Sequence, residues 1–149
     1  MGRTQVTSRD WFEEIRAGVR KIKLAEDEIE AARETVEVKT QRYAASVQGG
    51  NPDHTAAIDS IIERERELDY LRAETNQKIE LALCLLYGNE QDGKGGVAAE
   101  KGNIYADAVY SVYLMGRTHR DTADELGCTR AWVTNLCTAT FNHLDRRTR

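Results

Sequence analysis

The feature that most constrains the fold is an apolar residue at every seventh position in the first third of the chain. Branched or aromatic residues occupy one heptad position: Ile15, Ile22, Ile29, Val36 and Tyr43. Mostly small residues occupy the companion position: Trp11, Gly18, Ala25, Ala32 and Lys39. Such a seam is typical of a long helix that packs lengthwise on another helix. We therefore expect a helix from about residue 8 to 46, with a capping box formed by Thr7 and Asp10 at its start.

A loop and a second long helix follow this seam. Residues 46–54 contain paired glycines and then Asn51 and Pro52, which end one helix and begin the next. Apolar residues then return at heptad spacing, flanked by further apolar side chains: Ile58, Ile61, Leu68, Ile79, Ala82 and Leu86, with Ile62, Leu71 and Leu83. Three polar residues interrupt this stripe: Glu65, Arg72 and Thr75. The pattern predicts a helix over residues 53–87.

The two helices, joined by a short loop, predict a long antiparallel, coiled-coil-like hairpin over residues 1–87. A two-helix hairpin has a narrow core and leaves part of its apolar stripe exposed, so we expect it to form a homodimer or to pack on another protein. Residues 88–103 contain five glycines and no apolar periodicity. They predict a mobile linker to a head over residues 104–149.

The charge is divided unevenly along the chain. Residues 1–103 contain 15 Lys and Arg against 20 Asp and Glu, whereas residues 104–149 contain 6 against 5. Three of the arginines lie at the end: Arg146, Arg147 and Arg149. A contact with nucleic acid is therefore expected in the head and not in the acidic hairpin.

Cysteine content and hydropathy bear on the cellular compartment. The three cysteines are an odd number, the first residues do not form an apolar signal segment, and no apolar run approaches 18 residues. These features predict a cytoplasmic protein with reduced thiols and no membrane partner.

The head begins with a helical pattern over residues 104–115, which glycine at position 116 should end. Thr118 and Asp121 then form a second capping box. From His119 the sequence HRDTADELGCTRAWVTNLCT fits the twenty-residue helix-turn-helix pattern.

The motif assigns a role to most of its positions. Ala123 lies where the two helices cross closely, and Gly127 takes the left-handed turn. Three apolar residues should point into a small core: Leu126, Val133 and Leu136. Thr122 departs from the pattern, because a branched apolar residue is usual at its position.

In this register Thr129 caps a DNA-reading helix that extends to about Leu144. Five residues on its outward face are candidate base readers: Arg130, Ala131, Thr134, Asn135 and Thr138. Arginine pairs with guanine, asparagine pairs with adenine, and alanine or threonine methyl groups contact thymine methyls. The alternative for the two threonines is simple exposure to solvent. Trp132 either packs on the first helix of the head or lies against the DNA backbone.

Other cations suit DNA phosphates, which position a protein without reading sequence. They are Arg117, His119, Arg120, Arg146, Arg147 and Arg149. With so few cations, one head alone should bind weakly and with strong sensitivity to salt. Pairing two heads would raise the affinity through effective concentration, which is a second reason to expect a homodimer.

Several other sites are not supported. The run from Gly88 resembles a phosphate-binding loop, but Gly95 replaces the Ser or Thr that would hold magnesium, and no calcium-loop spacing is present. Cysteines and histidines lack a close ligand pair for zinc, and no carboxylates are arranged for acid–base catalysis. We therefore expect no metal, no cofactor and no enzymatic activity.

The charged hairpin, a Ser-x-Gln-Gly type loop at residues 46–49 and the C-terminal stretch VYSVYLMGRTHRDTADELGCTRAWVTNLCTATFNHLD together resemble the ArpU-like late-gene transcriptional regulators of phages. The head resembles sigma-factor region 4. This resemblance implies an all-α fold, binding to specific double-stranded DNA and control of transcription. It also implies that Arg130, Thr134 and Asn135 occupy the outward positions of the recognition helix.

The resulting hypothesis is a regulator of phage or prophage type whose hairpin sets the oligomeric state or contacts RNA polymerase. The alternative is a phage accessory protein whose acidic hairpin binds and inhibits, or adapts, a host protein. In that case the helix-turn-helix would serve self-regulation.

Overall fold

In a computed structural model of the chain, residues 5–46 and 52–147 are described, together with the side chains of residues 5–42 and 54–147. Within these residues the protein is all-helical. Six α-helices are present: α1 Ser8–Ser46, α2 Pro52–Tyr87, α3 Gly96–Glu100, α4 Asn103–Val109, α5 His119–Leu126 and α6 Arg130–Arg147. A π-helix, Tyr110–Leu114, continues directly from α4.

The chain divides into two compact units, each of which is described separately. Unit 1 comprises Met1–Val19 and Thr75–Arg149, and unit 2 comprises Arg20–Glu74. This division differs from the predicted one, in which residues 1–87 formed a single module. The cause is that the first turns of α1 and the last turns of α2 bury side chains in the same core as α4 and α6.

Unit 2 consists of the α1 and α2 segments within residues 20–74, and its core is a narrow stripe. Ile29, Ile61 and Leu68 are buried there, and the heptad residues of α1 pack against them. Two of the three polar residues that interrupt the α2 stripe form ion pairs with α1: Glu65 pairs with Arg33, and Arg72 pairs with Glu26 at 2.7 Å. The third, Thr75, is buried and belongs to unit 1. The pairs Glu26–Arg72 and Arg33–Glu65 show that the two segments run antiparallel, because a later residue of α1 pairs with an earlier residue of α2. The predicted heptad residue Tyr43 and the predicted loop at residues 46–49 lie outside the described side chains.

Unit 1 has a broader core, to which α1, α2, α3, α4, the π-helix, α5 and α6 all contribute. Phe12 of α1 is fully buried, and its ring contacts those of Trp11, Tyr113 and Phe141 at centroid distances of 5.1, 6.2 and 5.4 Å. The heptad pattern did not single out Phe12, because it lies beside the predicted seam. The α1 cap is confirmed by the Asp10 N–H, which donates to Thr7 Oγ1 at 3.2 Å.

Residues 88–103, predicted as a mobile linker, are a packed part of unit 1. Val97 is fully buried and Ala98 is 6% exposed. The glycines allow backbone segments to approach each other closely. A Cβ on Gly96, whose φ is +65°, would lie 2.5 Å from the Leu85 carbonyl oxygen. A Cβ on Gly88 would lie 2.8 Å from the Gly95 Cα. Composition alone does not distinguish this use of glycine from a flexible linker.

Candidate nucleic-acid interface

The candidate site is built on α5, α6 and the turn between them. Thr118 caps α5, because its Oγ1 accepts a hydrogen bond from the Asp121 N–H at 3.1 Å. Thr129 caps α6 in the same way, with the Trp132 N–H donating at 3.1 Å. Between them Gly127 has a φ of +69°, the left-handed conformation that glycine adopts without a steric penalty. The two caps and the turn predicted from the sequence are thereby confirmed.

The inner faces of these two helices are apolar and well packed. Val133 and Leu136 of α6 are essentially inaccessible, and Ala123 of α5 is 4% exposed. Leu126 is partly buried against the same cluster. Burial of this face fixes which side of α6 remains available to a ligand.

Thr122, which departs from the usual apolar pattern, is fully buried and satisfied. Its hydroxyl lies 2.8 Å from that of Ser111 in the π-helix, so each group provides the hydrogen-bond partner of the other. A buried hydroxyl without such a partner would destabilise the fold by about 1–3 kcal/mol. The polar pair therefore replaces an apolar contact and ties α5 to the preceding helix.

The outer face of α6 carries four of the five predicted base readers in exposed positions: Arg130, Ala131, Thr134 and Asn135. The Thr134 hydroxyl donates to the Arg130 carbonyl at 3.2 Å, which leaves its methyl group as the feature available for apolar contact. Trp132 is 47% exposed. It therefore does not belong to the buried core, and its two predicted placements stay predictions.

Thr138, the fifth predicted reader, is engaged within the protein. It is half-buried, and its hydroxyl accepts a hydrogen bond from Arg9 Nη2 at 2.9 Å. The Arg9 guanidinium also lies over the Phe141 ring, 5.3 Å from its centroid. The sequence pattern of α6 gives no sign of a partner 129 residues away, so a local reading of the helix assigned this threonine to the free face.

The cations predicted to contact phosphate are not equivalent. Arg117 pairs with Glu125, and Arg147 lies 3.3 Å from Glu100. The Arg146 Nε donates to the carbonyl of Asn142 at 3.2 Å. Arg120 is exposed at the beginning of α5, whereas Arg149 lies outside the described residues.

His119 begins α5 and is partly buried. Burial, and secondarily the positive charge of Arg16, lower the pKa of His119 below its ordinary value of 6.5, and Glu13 acts in the opposite direction. His119 is therefore neutral near pH 7. At that pH it does not carry the positive charge that would favour a contact with phosphate.

Arg9 and Arg16 of α1 were missed by the sequence reading of this site. The Arg16 guanidinium lies over the Tyr113 ring at 5.6 Å, and its Nε is buried without a hydrogen-bond partner. The signal that was available is their spacing of seven residues, which places both on one side of α1. The N-terminal region is acidic overall, so its individual arginines were not considered as contacts for DNA.

Residues 5–46 and 52–147 contain no group of three or more His, Cys, Asp or Glu side chains arranged to hold a metal ion. None of the helices described is both long and apolar enough to cross a membrane.

Comparison with protein-family models, with curated proteins and with solved structures gives no significant match to this chain. The function of the chain must therefore be inferred from the residues and geometry of the site.

Proposed function

We propose that this protein is a sequence-specific DNA-binding transcriptional regulator of phage or prophage type, acting in the cytoplasm of a bacterial host cell. In this proposal α5, the Gly127 turn and α6 form a helix-turn-helix, and α6 enters the major groove of double-stranded DNA. The observation that carries the proposal is the two-sided character of α6. On its inner face Val133 and Leu136 are buried in the core, whereas on its outer face Arg130 and Asn135 are exposed.

The readers follow from the chemistry of the exposed face. Arg130 has the planar, multiple-donor group that pairs with guanine, and Asn135 has the amide that pairs with adenine. Ala131 and the Thr134 methyl group are suited to thymine methyls. Each well-formed bidentate contact discriminates between bases by about 1–3 kcal/mol.

A homodimer is part of the proposal. Unit 2 leaves large apolar side chains in solvent, including Leu24 at 60% and Tyr70 at 75% exposure. A second copy that covered them would also bring two DNA-reading heads to one site. Linking two weakly binding modules raises the overall affinity through effective concentration. An alternative occupant of unit 2 in a promoter complex is RNA polymerase.

The test is selection of binding sites from random duplex DNA by the purified full-length protein at two salt concentrations, with its mass in solution measured in parallel. We expect enrichment of a palindromic or repeated motif, bound by a dimer, with affinity that falls steeply as salt increases. A folded protein that enriches no sequence at either salt concentration would contradict the proposal.

A second candidate function is supported by Tyr70 of unit 2, whose large side chain is 75% exposed. In this alternative the acidic hairpin binds and inhibits, or adapts, a host protein. The discriminating experiment is isolation of complexes from nuclease-treated host lysate with the wild-type chain and with Tyr70→Lys. A stoichiometric protein partner that is lost with the Tyr70 variant, together with failure of DNA selection, would favour the alternative.

A further inference from the structure

We propose that Arg9 and Arg16, near the beginning of α1, bind DNA phosphates beside the reading face of α6. This inference rests on the proposed function and extends it. It makes the N-terminal residues of the chain part of the DNA-binding surface, although they are separated from α6 by more than a hundred residues of sequence.

The beginning of α1 packs against α6 through several contacts. Phe12 and Ile15 are fully buried in the core of unit 1, and Phe12 contacts the Phe141 ring. The Ser8 N–H donates to Asp145 Oδ1 at 2.9 Å. These contacts connect the first turn of α1 to the last turns of α6, so side chains on the adjoining face of α1 are held in fixed positions.

Arg9 is placed at the edge of the reading face. On α6 the residues Arg130, Thr134 and Thr138 follow one another at intervals of four, which places them along one edge of the helix. Arg9 donates one hydrogen bond to Thr138 at the end of that edge. A guanidinium has five N–H donors, so most of its hydrogen-bonding capacity remains for a phosphate.

Arg16 lies on the same side of α1. It stacks over Tyr113 and has a buried Nε without a partner. Both guanidinium groups are close enough to Cys137 of α6 to oppose, through their charge, the rise in the pKa of that thiol that burial causes. Arg16 acts in the same electrostatic manner on His119, which begins α5. Arg9 therefore lies beside α6, and Arg16 lies near both helices of the motif.

The spacing of the two arginines suits a DNA backbone. Seven residues of helix advance by about 10.5 Å, which equals roughly three base-pair rises along the axis of a duplex. Arginine also matches phosphate geometry with two parallel hydrogen bonds. Glu13, exposed between them in sequence, opposes phosphate binding through its charge.

The experiment measures duplex affinity against salt concentration with the full-length protein, using its selected site and a random duplex. The variants are Arg9→Gln, Arg16→Gln and Glu13→Gln, and Arg66→Gln, which removes an exposed arginine of unit 2, is the matched control. Loss of one phosphate contact lowers the slope of log affinity against log salt by about 0.9. Over a tenfold range of salt this corresponds to about eightfold in affinity.

We expect Arg9→Gln and Arg16→Gln each to match the wild type at 1 M salt and to bind about eightfold more weakly at 0.1 M salt, for both duplexes alike. Glu13→Gln should bind both duplexes more tightly, and Arg66→Gln should match the wild type. Thr138→Val, which removes the hydrogen bond to Arg9 but no charge, should retain the wild-type salt slope. If Arg9→Gln lowers affinity no more than Thr138→Val does and leaves the salt slope at the wild-type value, Arg9 only supports α6 and the inference fails.

The failure of this inference differs from failure of the proposed function. Arginine variants that fold normally and bind with wild-type affinity and salt slope, while the wild type still selects a sequence, would overturn only the phosphate role. If the wild type selects no sequence but binds random duplex DNA with a salt slope that Arg9→Gln and Arg16→Gln each lower, only the sequence-reading role is lost.

Discussion

The two units of this protein are built from the same two long helices but are stabilised differently. In unit 1 the ends of α1 and α2 close a core with the shorter helices, and large side chains such as Phe12, Phe141 and Leu86 are fully buried. In unit 2, among the residues described, the buried apolar side chains are Ile29, Ile61 and Leu68. Exposed ion pairs accompany this stripe.

This difference indicates which unit is rigid enough to hold side chains in place for specific recognition. A core enclosed by several elements fixes side chains to within the tolerance that base reading requires. A pair of helices buries little apolar surface for each residue it orders, so its stability depends more on a second surface. The two proposed tasks, DNA reading by unit 1 and association through unit 2, follow this difference.

The largest expected effect is loss of the Phe12 ring. Phe12→Ala leaves a cavity among three aromatic rings and should lower the free energy of unfolding by about 3–5 kcal/mol. Both tryptophans of the chain, Trp11 and Trp132, belong to unit 1, so their fluorescence during urea unfolding reports on that unit. The comparison variant is Leu68→Ala in unit 2. It should shift the helical signal in circular dichroism more than the tryptophan transition, and an equal shift in both would contradict separate stabilisation.

A smaller effect is expected from the buried hydroxyl pair. Thr122→Val leaves the Ser111 hydroxyl without its partner and should destabilise unit 1 by about 1–3 kcal/mol. The double variant Ser111→Ala, Thr122→Val removes both polar groups and should recover most of that loss. Urea denaturation of the two single variants and the double variant forms a complete thermodynamic cycle. Additive losses would show that the two hydroxyls do not stabilise each other.

The exposed ion pairs of unit 2 should contribute less. The side chains of Arg33 and Glu65 retain 60% and 37% of their exposure, so Arg33→Gln should cost about 0.2–1 kcal/mol. Because salt screens such pairs, the difference from the wild type should shrink in 1 M NaCl. Circular dichroism during urea unfolding at low and high salt measures it. A cost comparable to that of Leu68→Ala would mean that charge, and not the apolar stripe, holds unit 2.

The smallest expected effect is a pH dependence of unit 1 caused by His119. Its pKa in the folded protein lies below 6.5 because of burial and Arg16, so the unfolded chain takes up a proton at a higher pH than the folded one. Stability from this residue is therefore complete above pH 6.5 and declines as the pH falls toward the lowered pKa. His119→Gln should reduce the fall in the tryptophan unfolding midpoint between pH 7 and pH 5.5. An unchanged fall would assign it to other groups.

The sequence predicted most accurately what local chemistry determines. The helical caps at Thr7, Thr118 and Thr129 and the left-handed turn at Gly127 are confirmed, because each depends on residues within one helical turn. The heptad seam of α1 likewise predicted the packing of Ile29.

What the sequence did not reveal depends on contacts between distant parts of the chain. The packing of the glycine-rich segment becomes apparent only when Gly88 and Gly96 meet other backbone atoms. The engagement of Thr138 requires Arg9. The change to a π-helix at Tyr110–Leu114 has no clear marker in the residue pattern. Contacts between distant parts of the chain therefore explain more of the difference between the predicted and the observed site than local structure does.

The central claim is that the exposed face of α6 reads the DNA sequence. The most direct test is the ratio of affinities for the selected duplex and a scrambled duplex, measured at one salt concentration for the wild type and for Arg130→Ala, Asn135→Ala. The matched control is Arg66→Ala, Asn76→Ala on α2. We expect the ratio to fall by roughly 5- to 150-fold for each lost base contact, and the control to retain the wild-type ratio. A wild-type ratio in the α6 double variant would contradict the account.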